Sequence, residues 1–205
     1  EALSGIRKVE SGEIHLFDDK ISDQDNYLNP RDLKEKGLAH IPEDRQRMGL
    51  VTEFKAHENL IFGYHHQEPY SKSSILQEKE IMSFSKKVME EYDVRPTSPN
   101  LITSNFSGGN QQKIILSREL NENPKVLLIG QPTRGVDIGA IEFIHQRLID
   151  MRDKGAAILL VSVELEEVLS LSDRIVVMFD GNIVGEKINK DVTDRDLGLL
   201  MAGVA

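Results

Sequence analysis

The sequence predicts an α/β protein in which a mostly parallel sheet is wrapped by helices and interrupted by a helical insertion. Three observations carry this expectation. The apolar runs at 126–129, 158–161 and 175–179 have the length and composition of strands buried in a parallel sheet. Residues 138–154 set Ile138, Ile141, Ile144, Leu148 and Met151 at helical spacing between the first two runs and stop at Gly155. Residues 43–123 carry helix signals in place of such strands, so the expected division is a core at 1–42 and 124–205 with a helical subdomain at 43–123 between.

The elements follow in order. Residues 1–5 look like a helix end capped by Gly5, and a start at Glu1 without methionine leads us to expect a piece of a longer protein. Alternation at 12–17 suggests a strand. Asn29 and Pro30 supply an N-cap and N1 proline for a short helix ended by Gly37, and 38–41 is a strand. A polar turn at 43–47 leads to a helix at 56–64. Ser74 with Gln77 predicts a capping box for a helix at 75–92. Pro96 and Pro99 impose a loop, and Ser107-Gly108-Gly109 opens a helix reaching Leu120. A helix at 164–169 presents Glu164 to Glu167 as a solvated face. Asp180-Gly181 turns a hairpin into 183–187, and Thr193 with Asp196 caps a last helix.

Composition narrows the function classes. A chain of 205 residues with 39% apolar content can bury a core, and no apolar run approaches the roughly 18–20 residues a membrane span needs. A net charge of −9 opposes nucleic-acid binding, which needs a basic stripe; Arg45 and Arg47 form the one tight basic cluster. Without cysteine there are no disulfides and no thiolate zinc sites. His65-His66 points to different faces and lacks a third ligand at suitable spacing, so an exposed loop is expected and no metal.

Two segments carry chemistry. A helix that begins Ser107-Gly108-Gly109-Asn110 exposes unpaired N–H groups, adds a hydroxyl, and turns its positive end toward a possible phosphate. By itself such a start is more often a plain loop-to-helix junction. The second segment, Gly130-Gln131-Pro132-Thr133-Arg134-Gly135-Val136-Asp137, follows an apolar strand and looks like a hydrolytic centre without its acids.

Taken with Leu159-Leu160-Val161-Ser162 and Ser172-Asp173-Arg174-Ile175, these residues closely resemble the nucleotide-binding subunit of ATP-binding cassette (ABC) transporters over nearly the whole chain. Phe106 to Lys113 is similar to the family's signature motif, in the Gly-Gly-Asn-Gln-Gln-Lys form of bacterial sugar and nucleoside importers, with Arg118 in the signature helix and Asp137 in the D-loop. The resemblance implies a P-loop NTPase-like ABC ATPase core with a Q-loop and helical subdomain at 43–123. The cofactors it implies are ATP and Mg2+.

Four departures from the family pattern set the expected mechanism. Gly130 and Gln131 stand where the family has the metal-supporting Asp and the water-polarising Glu, Val163 stands at the switch histidine, and Glu43 occupies the Q-loop position. No Gly-x-x-x-x-Gly-Lys-[Ser/Thr] occurs in the chain, so the Walker A segment is lacking. Phosphoryl transfer depends on positioning and charge neutralisation, and loss of the general base alone costs roughly 10²–10⁴ in rate. No catalytic residue is therefore expected here. The resemblance implies that two such domains pack head to tail, so that Ser107, Gly108, Gly109 and Asn110 serve ATP held by a partner half. The expected partners are an N-terminal ABC domain of the same subunit, transmembrane permease subunits and, indirectly, a substrate-binding lipoprotein, at the cytoplasmic face of the cell membrane.

Leu50, Val51, Phe54 and Phe62 are candidates for docking a permease, and internal packing of the subdomain explains them as well. Residues 131–145 look more like the nucleoside branch than the ribose or galactose branch. A soluble ABC-type ATPase or a non-catalytic scaffold is the alternative; a coiled-coil insertion or basic arms would favour it, and neither is present.

Overall fold

Asn29 shows how closely local chemistry sets this fold. Its side chain accepts from the backbone N–H groups of Arg31 and Asp32, and the Asp32 carboxylate returns a bond to the Asn29 N–H, closing a capping box on helix α1 (Pro30–Glu35). Gly37, with φ +95, ends that turn and releases the chain into strand β3 (Leu38–Ile41), as expected. The computed structural model describes residues 1–21, 27–190 and 192–203. They form two compact units, 1–159 and 160–205.

In the first unit, β1 (His15–Leu16) and β2 (Asp19–Lys20) make a short antiparallel hairpin, so the strand expected at 12–17 is cut to two residues. Phe17 lies in the left-handed region at φ 55 and turns the chain back. After β3, a π-helical turn (Arg45–Gly49) is capped by Asp44. Helix α2 (Ala56–Leu60) is shorter than the expected 56–64, because the chain leaves helical geometry at Ile61 and reaches φ +89 at Gly63.

The capping box expected at Ser74 does not form. Ser73 and Ser74 both take positive φ, 51 and 64, the paired left-handed geometry of a tight hairpin turn, and they join β4 (Ser71–Lys72) to β5 (Ile75–Leu76). Helix α3 (Glu78–Glu91) starts only afterwards, with Gln77 as its N-cap.

Helix α4 (Gly108–Leu120) packs against α2, β3 and the later helix α5 (Ile138–Asp153), which buries it almost all round; Ile114, Ile115 and Leu116 are fully enclosed. Strand β6 (Val126–Gly130) pairs in parallel with β3, Leu38 opposite Val126 and Ile41 opposite Ile129. Strand β7 (Ala157–Val161) completes the sheet order β3-β6-β7. This is the expected α/β arrangement with a parallel sheet.

In α5 and β7 two expected burial patterns are corrected. Ile138 is 78% exposed, and the buried stripe of α5 runs instead through Ala140, Ile144, Leu148 and Met151, since the first helical residue sits outside the face that meets α4. Strand β7, last in that order among the described residues, was expected to be buried, yet Ala157, Leu159 and Val161, which share one face by the period-two alternation of a strand, are exposed.

The second unit holds α6 (Leu165–Leu171), the antiparallel pair β8 (Arg174–Phe179) and β9 (Asn182–Ile188), and α7 (Asp194–Met201), so the run at 175–179, expected as a strand buried in the parallel sheet, pairs antiparallel among the described residues and buries only Ile175 and Val177. Asp180 and Gly181, both at positive φ, make the expected hairpin turn, and Thr193 with Asp196 forms the expected capping box. Ile175, Val177 and Leu197 form its core. Glu164 and Glu166 are exposed, but Glu167 is buried; the face expected to be solvated is only partly so, because position 167 falls on the inner side of α6.

Candidate functional site: the start of helix α4

Ser107 is the N-cap of α4, with extended backbone at φ −60 and ψ 159. Its Oγ accepts from the Asn110 backbone N–H at 3.5 Å and from Asn110 Nδ2 at 2.9 Å. With both lone pairs facing amide donors, the hydroxyl proton is left to donate outward, and it lies beside the first N–H groups of the helix, which have no intrahelical acceptor. Asn110 is itself held, since its Oδ1 accepts from the Arg95 N–H at 2.7 Å. Gln111 is buried beneath and donates to the Thr103 and Phe106 carbonyls, which fixes the approach to the helix.

The two glycines are explained by close approach. A Cβ on Gly108 would lie 2.6 Å from Arg45 Nη2 and 2.9 Å from the Gly135 carbonyl oxygen. One on Gly109 would lie 2.9 Å from Asp137 Oδ2. Asp137 caps α5 through its other oxygen, which accepts from the Ala140 N–H at 3.0 Å. Loop 131–137 thus lies directly against the start of α4.

At the end of β6, Gly130 faces Glu43: a Cβ built there would come within 3.3 Å of the Glu43 amide nitrogen. Glu43 turns its carboxylate to Arg134 Nη1 at 2.5 Å. Gln131 lies in the left-handed region at φ 48, which aims the chain out of the strand and into the loop. The Glu43 carboxylate is thus paired with a guanidinium, and neither Gly130 nor Gln131 supplies a carboxylate of its own. Among the described residues no group of three or more His, Asp or Glu could hold a metal.

The first unit brings together Ser107, Gly108, Gly109, Asn110, Asp137, Glu43, Gly130 and Gln131. Val163 belongs to the second unit, where it is exposed in the turn before α6. Of the docking candidates, Leu50 is buried, while Phe54 and Phe62 are 40% and 46% exposed. Asn59 pins the segment between them by exchanging bonds with the Val51 N–H and carbonyl and donating to Thr103 Oγ1. Arg45 and Arg134 are site residues that motif reasoning passed over; the basic pair Arg45 and Arg47 was the available signal.

Chemically, the start of α4 offers a hydroxyl donor, free backbone N–H groups and a helix N-terminus, a donor set suited to an oxyanion. No helix among the described residues is long and apolar enough to cross a membrane.

The chain is 45% identical over 203 residues to the guanosine import ATP-binding protein NupO of Bacillus subtilis, and equally so to the nucleoside import ATP-binding protein NupA of Lactococcus lactis. It is 34% identical over 196 residues to the ribose import ATP-binding protein RbsA of Oceanobacillus iheyensis. These matches cover 96–99% of the chain but only 38–39% of each relative, so the chain spans well under half their length. Among solved structures, a nucleotide-free ATP-binding cassette superposes with a TM-score of 0.73 at 22% identity, covering 98% of this chain and 77% of that one. A dimeric bacterial ABC transporter cassette gives 0.74 at 20% identity, covering 93% and 79%. A family model described as ABC transporter matches residues 1–134, and the chain belongs to that family.

Proposed function

We propose that this chain is the nucleotide-binding half of an ATP-driven importer of nucleosides or simple sugars, supplying its signature motif in trans to ATP bound by a partner half. One juxtaposition carries the reading. The start of α4 is prepared for an oxyanion, whereas the end of β6, where hydrolytic carboxylates would stand, carries Gly130 and Gln131 beside a Glu43 already paired with Arg134. In this reading Ser107 and the N–H groups of Gly108 and Gly109 receive the terminal phosphate, and Asn110 orients the Ser107 hydroxyl. Asp137 holds the D-loop against Gly109, and Mg2+ is held mainly by the partner half. Residues 1–42 and 124–205 form the two parts of the ATPase core around the subdomain at 43–123. The names of the guanosine, nucleoside and ribose import relatives support the solute class.

The chain alone should not hydrolyse ATP, and Ser107→Ala in the assembled transporter should lower kcat by roughly 10²-fold, the scale of losing one oxyanion donor. Turnover by the isolated chain at the transporter's rate would defeat the reading.

The partners in this reading are an N-terminal ABC domain of the same subunit and permease subunits at the cytoplasmic face of the membrane, with a binding lipoprotein acting through the permease. Exposed Phe54, three residues after the Val51 that Asn59 holds, suits a permease contact. Phe54→Asp should reduce co-purification with the permease by about tenfold, equivalent to the roughly 1.4 kcal/mol of one interface anchor, with an unchanged melting temperature. Undiminished co-purification counts against docking there.

A further inference from the structure

Arg45 joins three segments without belonging to the phosphate-facing group. It is the first residue of the π-helical turn, whose N-cap Asp44 holds the Arg47 N–H at 3.0 Å. From there its guanidinium crosses to the loop: Nη1 donates to the Arg134 carbonyl at 2.6 Å and Nη2 to the Gly135 carbonyl at 3.3 Å. The same Nη2 occupies the space that a side chain on Gly108 would need. Its Nε is buried without an acceptor among the described residues, so it is the two outer nitrogens that hold the group in place. Two further contacts run alongside. Glu43, two residues earlier, takes the Arg134 side chain, and Gln46, one residue later, donates to Gln111 Oε1 at 3.4 Å on α4.

The chemistry suits a brace. Successive carbonyls that point the same way gather partial negative charge, and a planar guanidinium can meet both at once, whereas an ammonium is a single point charge. A glycine at 108 then lets the plane of that group lie against the helix start. Loop 131–137 and Ser107 are far apart in sequence and share no backbone ladder; Arg45 sets their spacing from one side, and Asp137 against Gly109 sets it from the other.

We propose that Arg45 is a positioning residue that locks loop 131–137 to the start of helix α4, so that the turn at 45–49, the loop and the phosphate-facing Ser107 move as one body. The inference rests on the in-trans reading of Ser107 and adds to it that the hydroxyl is placed by a residue of the 45–49 turn. The contact is made through backbone carbonyls of the loop, so the residue acts through geometry and touches no substrate.

The experiment uses the assembled transporter with Arg45→Ala, Arg45→Lys and, in parallel, Ser107→Ala. Arg45→Ala should lower kcat by about tenfold or more, in keeping with the cost of a misplaced group, while the KM for ATP stays within about twofold. Arg45→Lys should recover part of that loss, since it can reach one carbonyl only. A raised KM with unchanged kcat would make Arg45 a nucleotide ligand and overturn the proposal, as would an unchanged kcat. If Arg45→Ala does not assemble, Arg45→Gln keeps the stem and serves in its place. Amide hydrogen exchange on the same complex supplies the second readout: faster exchange in both 131–137 and 107–110 is expected, and a change confined to 44–49 overturns the brace. Should Ser107→Ala leave hydrolysis untouched, the in-trans reading fails, and the exchange measurement still decides on Arg45.

Discussion

The two ends of helix α4 use charge in opposite ways. At its C-terminal end Glu119 is 1% exposed, with Arg118 Nε at 2.8 Å and Lys34 Nζ at 2.6 Å. Arg118 spends its other nitrogens on the Asn59 and Gly49 carbonyls, and Lys34 also donates to the Tyr64 hydroxyl at 3.2 Å. At the N-terminal end Glu43 and Arg134 form an ion pair with both side chains more than half exposed, and the Ser107 hydroxyl is left to donate a hydrogen bond. Buried charges with every bond assigned cannot exchange partners with a ligand without a large desolvation penalty, so they hold the helix to its neighbours. Exposed groups lose little by changing partners, and chemistry is possible there.

The titration behaviour of the buried end follows from its composition. Burial pushes the Glu119 carboxyl up, but the charges of Arg118 and Lys34 and their hydrogen bonds outweigh it and hold it below its ordinary value of 4.5. Burial pushes Lys34 down; the attraction of Glu119 opposes this, the adjacent Arg118 adds to it, and the net shift is downward. Burial likewise lowers His40, on the neighbouring strand, and raises the Tyr64 hydroxyl, so both stay neutral near pH 7.

Breaking the buried end should have the largest effect. Glu119→Ala leaves two cations without their shared carboxylate and should destabilise the protein by about 3–5 kcal/mol, read by urea denaturation. A loss under about 1 kcal/mol would mean that the cations find other partners and that the contrast between the two ends is overstated.

Acid provides a gentler version of the same test. Because Glu119 is held below 4.5 in the fold, the unfolded chain binds more protons in the window beneath that value. The stability from this carboxylate is therefore present above 4.5 and is lost as pH falls through its folded value. Glu119→Gln should be less stable than the native chain at pH 7, and the gap should narrow steadily below pH 4.5. A gap independent of pH would place the stabilisation elsewhere.

The smallest stability effect belongs to the exposed end. Ser107→Ala removes an N-cap whose bond to the Asn110 N–H is long, at 3.5 Å, so the stability loss should be about 0.5 kcal/mol, at the low end for a cap. Set beside its expected effect on hydrolysis, this result would sharpen the comparison most, since the same substitution would cost activity and almost no stability. A loss as large as that of Glu119→Ala would erase it.

How much was legible beforehand depended on reach along the chain. Asn29 with Asp32 and Thr193 with Asp196 are capping pairs three residues apart, so their chemistry could be read directly, as could the apolar strand at 38–41. The same pattern misled at Ser74, because two adjacent serines could also turn a hairpin and nothing within the segment decided between them. The helical stripe of α5 was recognised, but Ile138 was wrongly included, because the packing face is set by α4 and periodicity alone does not locate it. Ser107 and the two glycines were visible as a helix start. The reason for the glycines was not, since the atoms that crowd them belong to Arg45, Gly135 and Asp137.

The amino-acid sequence by itself determined the α/β class, the helix caps at Asn29 and Thr193, the Ser107-Gly108-Gly109 helix start and the absence of a carboxylate at positions 130 and 131. Each of these is a property of residue type within a few positions, where caps, periodicity and side-chain chemistry act. Only the tertiary structure decided that Glu119 meets Lys34, 85 residues away, that Arg45 braces the Arg134 carbonyl, 89 away, and that Glu43 pairs with Arg134, 91 away. No local rule specifies such pairings, because they arise when the sheet and helix α4 close the chain upon itself and bring polar groups to a common place.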